Sequence, residues 1–497
     1  MNALESLYRP SLALLTDLYQ LTMAHAHWKT GSYRKEAVFH LYFRNNPFGG
    51  GFTVACGLTR AKEFLSNFRF EDNDLLYLRT LLGEEGARLF DEGFIEYLRE
   101  LTLECDIDAV DEGRIVFPGA PLVRVRGPII AAQLIETPLL NVVNFETLIA
   151  TKAARMAIAA RGDPVMEFGL RRAQGIDGAL AASRAAYIGG CSATSNVLAG
   201  KLFGIPVKGT HSHSWVMAFG SEMESFEQFA KASPGNCVFL VDTFHSLDGI
   251  AHAIEVGKTL KAAGHRLGGI RLDSGDLAYL SIEARRMLDE AGFPDAAIVA
   301  SNELDENIIT SLREQGARVS VWGVGTRLIT GHDQAAMGCV YKLSAVRDPG
   351  GPWHPRMKLS EQAAKVSNPG IQQVRRFSSG SEFAGDMIWH EDPDTKNEPS
   401  PLMIDPLDMT RRRVFTTDYA YEDLLKPIFR KGVLVCEPEP LAAVRDRVAE
   451  ELSNVHGGIK RFVNPHVYPV GLEESLFKMR SDLMLRLRNL PPDGLFD

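Results

Sequence analysis

Between residues 139 and 343 the chain alternates short β-branched runs with Ala- and Leu-rich stretches of helical period, and no other feature restricts its fold as much. The runs fall at residues 165–168, 205–208, 238–241, 269–272, 298–300, 319–322 and 340–343. Adjacent parallel strands need a crossover, usually a helix, so this rhythm predicts a parallel α/β sheet with helices outside it. Seven or eight such units in about 200 residues favour a closed or nearly closed barrel.

The flanks read differently. Thr16 and Asp17 open a helix that runs to His25, a strand follows at 37–43, and three consecutive glycines, Gly49 to Gly51, imply a tight turn. Residues 52–105 are mainly helical in pattern, and 107–125 reads as short strands punctuated by Pro and Gly. The expected division is an N-terminal α+β domain at 1–135, the α/β barrel at 136–346, a return segment and linker at 347–400, and a C-terminal module at 401–497. Within it, 378–401 has the polar, acidic composition of a loop, and helices are expected at 437–454 and 472–489.

Composition narrows the chemistry. With 54 basic and 63 acidic residues, a net charge of -9 and no long basic run, the chain lacks the electrostatic footprint of a nucleic-acid or membrane binder. Small-molecule chemistry is the better expectation. The six cysteines are scattered without Cys-x-x-Cys spacing, which points to reduced thiols rather than a disulfide framework or a thiolate metal site. The N-terminal segment carries Glu5 and Arg9 and only a brief apolar run at 12–15, too short for a signal sequence, so a cytoplasmic protein is expected.

In parallel α/β barrels the reacting groups follow the C-terminal ends of the strands. The residues there form a consistent set: Glu167 with Arg171 and Arg172; Thr210, His211 and His213; Asp242 and Thr243; Arg271, Asp273 and Asp276; Ser301 and Asn302; and Gly323-Val-Gly325-Thr326. The last tetrapeptide suits phosphate, because glycines let backbone N–H groups approach its oxygens and a threonine hydroxyl adds a donor; alone, it is equally a tight turn. Arg271 with Asp273 and Asp276 suits an anionic substrate accompanied by Mg²⁺, or else an ordinary helix start with a paired arginine. His211 and His213 admit three readings: metal ligands, a phosphoryl-accepting nucleophile, or side chains packed beside Trp215.

Seven ordered motifs then converge. Asp17-Leu-Tyr-Gln20, Phe43-Arg-Asn-Asn-Pro-Phe-Gly-Gly50, Glu136-Thr-Pro-Leu139, Glu167-Phe-Gly-Leu-Arg-Arg-Ala-Gln-Gly175, Gly209-Thr-His-Ser-His-Ser214, Arg271-Leu-Asp-Ser-Gly-Asp276 and Gly323-Val-Gly-Thr326 resemble the nicotinate phosphoribosyltransferase family, over residues 10 to about 360. The resemblance implies an irregular α/β barrel of the type II phosphoribosyltransferase kind, with an N-terminal α+β domain and a C-terminal extension, in a homodimer. It also implies a reaction: nicotinate and phosphoribosyl pyrophosphate give nicotinate mononucleotide and pyrophosphate in NAD biosynthesis, coupled to ATP through a phosphohistidine.

By motif position His213 is the phosphorylated histidine and, with Asp273, the catalytic pair. By the same resemblance Tyr19 would stack on the pyridine ring, from its own or the partner subunit. The resemblance also implies that Arg271 and Arg171 would hold the nicotinate carboxylate with Thr210 nearby, that Thr326, Gly323 and Gly325 would take the ribose phosphate, and that Asp242 and Asp273 would face the ribose or Mg²⁺. Mg²⁺ is the implied cofactor and ATP the co-substrate, with no resident metal site assigned. His211 stands where relatives often carry another residue, so the resemblance gives it no role. A metal-dependent hydrolase using both histidines is the rival from another class, and a nicotinamide or quinolinate transferase the nearer one. Ser195 and Asn196, near the place where the nicotinamide enzyme carries an aspartate, are not acidic, which favours a carboxylate substrate.

Overall fold

A computed structural model describes residues 11–362, 365–392 and 397–490, so Glu5 and Arg9 lie outside the described residues. Its contacts divide the chain into two compact units. One comprises the chain up to Thr147, Ala336–Pro440 and everything from Ala449; the other comprises Leu148–Ala335 and Leu441–Val448.

Among the described residues the first unit has two large sheets and a two-stranded pair, Thr53–Val54 with Ile115–Val116. In the larger, seven strands run antiparallel, with Glu36–Phe43 paired on one side to Val123–Pro128 and on the other to Cys339–Arg347. Glu-Ala-Val-Phe-His-Leu-Tyr-Phe is buried along almost its whole length, as a central strand covered on both faces must be. Lys426–Arg430 joins the same sheet beside Asp106–Ala109, so part of the expected C-terminal module is a strand of the N-terminal sheet. The run expected as a barrel strand at 340–343 likewise belongs here.

The smaller, six-stranded sheet holds a second correction. Residues 378–401 do not form a loop throughout: Gln372–Ser379 and Glu382–His390 pair as an antiparallel hairpin. Its polar composition is buried as ion pairs. Arg376, fully enclosed, donates twice to Asp386 at 2.8 and 2.7 Å and once to Glu451 at 3.1 Å.

The second unit carries the parallel α/β sheet that the alternation predicts. Six strands lie in the order Ala193–Thr194, Val165–Glu167, Val321–Val324, Ala297–Ala300, Gly269–Leu272 and Val238–Leu240, every pair parallel. Helices such as Ser246–Ala262, Leu277–Glu290 and Glu306–Glu314 return the chain between them. Trp322, Ile270 and Phe239 are buried between sheet and helices.

The expected strand at 205–208 shrinks to one bridge, Val207 to Thr194, because Pro206 has no N–H to lend a ladder. Beyond that bridge the backbone ladder does not close on itself among the described residues. Residues 441–448 are the one late segment of this unit: Arg445 donates to the carbonyls of Gly190 and Cys191 and lies 5.2 Å over the Tyr187 ring.

Candidate active site

The carboxyl ends of the parallel strands gather most of the polar residues singled out from the sequence. Arg271, third residue of its strand, is fixed by three contacts: Nε donates to Ser301 Oγ at 2.9 Å, Nη1 to Thr210 Oγ1 at 3.2 Å and Nη2 to Asp273 Oδ1 at 2.9 Å. Three strand ends thereby hold one guanidinium in a single orientation, and its carbon lies 5.9 Å from the Phe168 ring centroid.

Asp273 also accepts from the Ser301 hydroxyl. Burial alone would oppose its ionisation, but the Ser301 hydrogen bond and the Arg271 charge outweigh that, with His213 adding, and hold the carboxyl below its ordinary range. Asp242 works on the same loop, its Oδ2 accepting from the Asp273 N–H at 2.8 Å and the Ser274 hydroxyl at 2.7 Å. Asp276 takes the plain role of helix cap, accepting from the N–H groups of Ala278 and Tyr279.

The two histidines part company. His213 is partly exposed, with Nδ1 3.1 Å from the Thr243 hydroxyl and Nε2 3.9 Å from Asp273 Oδ2. His211 is buried, and its Nε2 accepts from the Leu240 N–H at 3.3 Å. A ring nitrogen so engaged has no lone pair for a metal, so the paired-ligand arrangement of the hydrolase reading is not formed. Among the described residues, the one cluster with metal-ligand spacing is Cys56, Glu112 and Glu146, in the other unit.

A cavity of about 170 Å³ opens beside Arg271, bounded by Arg171, Asp273, Glu303, Gly323, Gly325 and Thr326. Gly323 is required by packing, since a Cβ there would stand 2.9 Å from the Phe168 ring. Thr326 donates to Glu303 at 3.0 Å, and Arg171, on the one-turn helix Leu170–Arg172, is exposed to solvent. Behind the cavity Glu167 is buried and accepts from Gly169 N–H and the Ser183 and Thr194 hydroxyls, which fixes the turn into Arg171.

Tyr19 belongs to the first unit, half-exposed on the helix Leu18–Lys29. Burial and the Glu136 carboxylate raise its phenol above the ordinary value. Asn196 is buried and caps the helix Val197–Phe203. The sequence points to Thr243 as a strand-end residue but not to its contact with His213; Glu303, three residues past the strand Ala297–Ala300, is the cavity residue it does not single out, and strand-end position is the signal for it.

Cations and carboxylates set side by side above a parallel sheet, next to a glycine-lined cavity, equip α/β enzymes that handle anionic small molecules. Residues 14–144, 164–350 and 371–480 match models of the nicotinate phosphoribosyltransferase N-terminal domain, the nicotinate phosphoribosyltransferase family and its C-terminal domain. The chain belongs to the nicotinate phosphoribosyltransferase family and is an enzyme of that family.

Its relatives include nicotinate phosphoribosyltransferase of Bacillus subtilis (strain 168), 46% identical over 469 residues and 93% of each chain. Nicotinate phosphoribosyltransferase 2 of Arabidopsis thaliana is 38% identical over 93% of this chain and 92% of its own. The crystal structure of human nicotinic acid phosphoribosyltransferase, 33% identical, superposes with a TM-score of 0.81 over 94% of this chain and 99% of that one.

Proposed function

We propose that the chain makes nicotinate mononucleotide and pyrophosphate from nicotinate and phosphoribosyl pyrophosphate, a step of NAD biosynthesis, and couples it to ATP hydrolysis through phosphorylation of His213. The observation that carries this reading is the Arg271 guanidinium, held by Ser301, Thr210 and Asp273 beside a cavity that ends at Gly323, Gly325 and Thr326. One end suits the nicotinate carboxylate, with Arg171 adding charge from the cavity wall; the other suits the ribose phosphate. Tyr19 is assigned to stack on the pyridine ring.

The pyridine nitrogen forms its bond to ribose C1 with its own lone pair while the C1–O bond to pyrophosphate breaks. It carries no proton to remove, so the chain's residues chiefly orient the reactants. Carboxylates near the ribose answer the positive charge that builds on the sugar, and Asp273 is held ionised for that task.

The residues present fit Mg²⁺ accompanying the phosphates. Asp242 is nine-tenths buried with Oδ1 unpartnered among the described residues, and Asp273 turns Oδ2 away from its Arg271 contact. Bound Mg²⁺ would neutralise charge on the departing pyrophosphate.

For His213, the Thr243 contact occupies Nδ1 and leaves Nε2, on the Asp273 side, to attack the terminal phosphate of ATP. An N–P bond forms as ADP leaves, and water later takes the phosphoryl group. The added charge of about -1.5 to -2 beside the substrate site would reorder contacts around Arg271 before product release. A homodimer in the cytoplasm is the proposed working form; among the described residues no helix is long and apolar enough to cross a membrane.

Incubation with labelled ATP and Mg²⁺ should give an acid-labile, base-stable phosphoryl label that His213→Ala loses. Label retained in that variant overturns the assignment. A product assay comparing nicotinate, nicotinamide and quinolinate, with and without ATP, tests substrate choice, and preference for either alternative would refute it.

A further inference from the structure

The parallel sheet of the second unit ends in two free edges. At one, the bridge between Thr194 and Val207 carries the chain into Gly209, Thr210 and His211. At the other stands Val238–Leu240, paired on one side to Gly269–Leu272. Successive N–H groups of a strand point to opposite sides, and the Val241 N–H is directed at Arg271 O, so the Leu240 N–H faces the free edge. A buried N–H without an acceptor is costly, and among the described residues no backbone carbonyl of an adjoining strand is paired with this one. The His211 imidazole supplies the acceptor, at 3.3 Å.

We propose that His211 is a positioning residue: as a neutral acceptor it joins the two free edges of the parallel sheet and so fixes the loop that presents Thr210 and His213. Because Nε2 accepts, it carries no proton, and the ring's single proton sits on Nδ1, 3.5 Å from Ser212 O. The surroundings suit an uncharged ring. Phe229, Phe226 and Phe239 enclose it at centroid distances of 5.0, 5.9 and 6.2 Å; burial disfavours a second proton and outweighs the Ser212 carbonyl, which favours one, and the charged or titratable groups acting on the ring, Arg271 and His213, add to the effect of burial.

A few residues on, the Trp215 indole donates to Ser225 O at 3.1 Å, so the loop is pinned at two points with Thr210 and His213 held at its turn. Arg271 meets this loop directly, through Thr210. Loss of the His211 acceptor therefore loosens a partner of the guanidinium proposed to take the substrate carboxylate.

The proposal rests in part on the reading of Thr210 as a nicotinate-side contact, and the experiment separates the two. His211→Leu keeps apolar bulk and removes the acceptor, and should raise the KM for nicotinate by about tenfold, the effect of one lost buried hydrogen bond, while the variant stays folded by circular dichroism. His211→Gln places a carbonyl oxygen near the position of Nε2 and should recover most of that loss. Equal KM values for Leu and Gln variants overturn the proposal. Thr210→Val leaves the seam intact; an unchanged KM there would remove Thr210 from the substrate while leaving the His211 result standing. If the Leu variant fails to fold, nitrogen spectra of histidine-labelled wild-type enzyme decide, with His211→Gln assigning the signal. The expected result is a neutral ring protonated on Nδ1 at pH 7.5; an Nε2–H tautomer or an imidazolium overturns it.

Discussion

Replacing Arg271 by lysine keeps the positive charge and removes the fork. The guanidinium satisfies Ser301, Thr210 and Asp273 from three different nitrogens, at 2.9, 3.2 and 2.9 Å. A lysine ammonium concentrates its donors at one point; it can keep Asp273 and must give up the others. Each hydroxyl contact is worth about 1 kcal/mol, and a planar grip on a carboxylate loses about 1.5–3 kcal/mol when one charge-assisted bond goes. Because the arginine side chain is partly solvent-exposed, the low ends apply, about 0.5 kcal/mol for each hydroxyl contact and about 1.5 kcal/mol for the carboxylate grip, which gives about 2.5 kcal/mol in all, or roughly 70-fold in kcat/KM. The assay is the initial rate of nicotinate mononucleotide formation at saturating phosphoribosyl pyrophosphate, beside ATP hydrolysis without nicotinate. The loss should fall on nicotinate use. A kcat/KM within about threefold of wild type, or equal loss in both assays, would refute the reasoning.

Arg376→Met should destabilise the protein by about 3–5 kcal/mol, because it strands the buried Asp386 with the Tyr468 hydroxyl at 2.9 Å; an unchanged urea midpoint would contradict this. His40 is buried with Nε2 accepting from the Gln372 N–H, and burial, with Arg124 and His390, holds its pKa well below the ordinary value. The unfolded chain then binds this proton first, so stability should fall as pH drops below about 6.5, by at most about 1.4 kcal/mol per pH unit for this group, and His40→Gln should flatten that slope in urea titrations at pH 7.5 and 5.5. An equal slope in the variant would remove His40 as the cause. Gly323→Ala puts a Cβ against the Phe168 ring and should weaken phosphoribosyl pyrophosphate binding by about 1–3 kcal/mol; an unaltered KM for that substrate would show that the ring yields.

Strands at 165–168, 238–241, 269–272 and 298–300 were legible because β-branched residues bounded by turn signals carry their own conformational preference. Three others show what a local pattern lacks. The run at 319–322 lies two residues further on, at Val321–Val324, since Gly323 is a strand residue packed on Phe168 rather than the turn its glycine suggests. The run at 340–343 is a strand of the antiparallel sheet, and nothing in its residues states which partner it takes. The hairpin from Gln372 to His390 was hidden because its buried faces include Arg375, Arg376 and Asp386, whose burial depends on the distant partners Asp423, Glu451 and Tyr468. At the site, strand-end position brought Arg271, Thr210, Asp273 and Thr326 to attention. The different environments of His211 and His213 depend on Leu240 and Thr243, about thirty residues away, and only the folded chain brings those together.

The segment 441–448 gives the parallel sheet a delayed timetable. A ribosome will have made every strand of the parallel sheet by Val324, yet the Gly190 and Cys191 carbonyls wait for Arg445 until more than a hundred further residues have been added. During that interval the half-built chain holds the loops at its strand ends on an unfinished support. Nascent chains stalled before residue 441 should therefore be open to protease around Gly190, and chains stalled well past 448 closed.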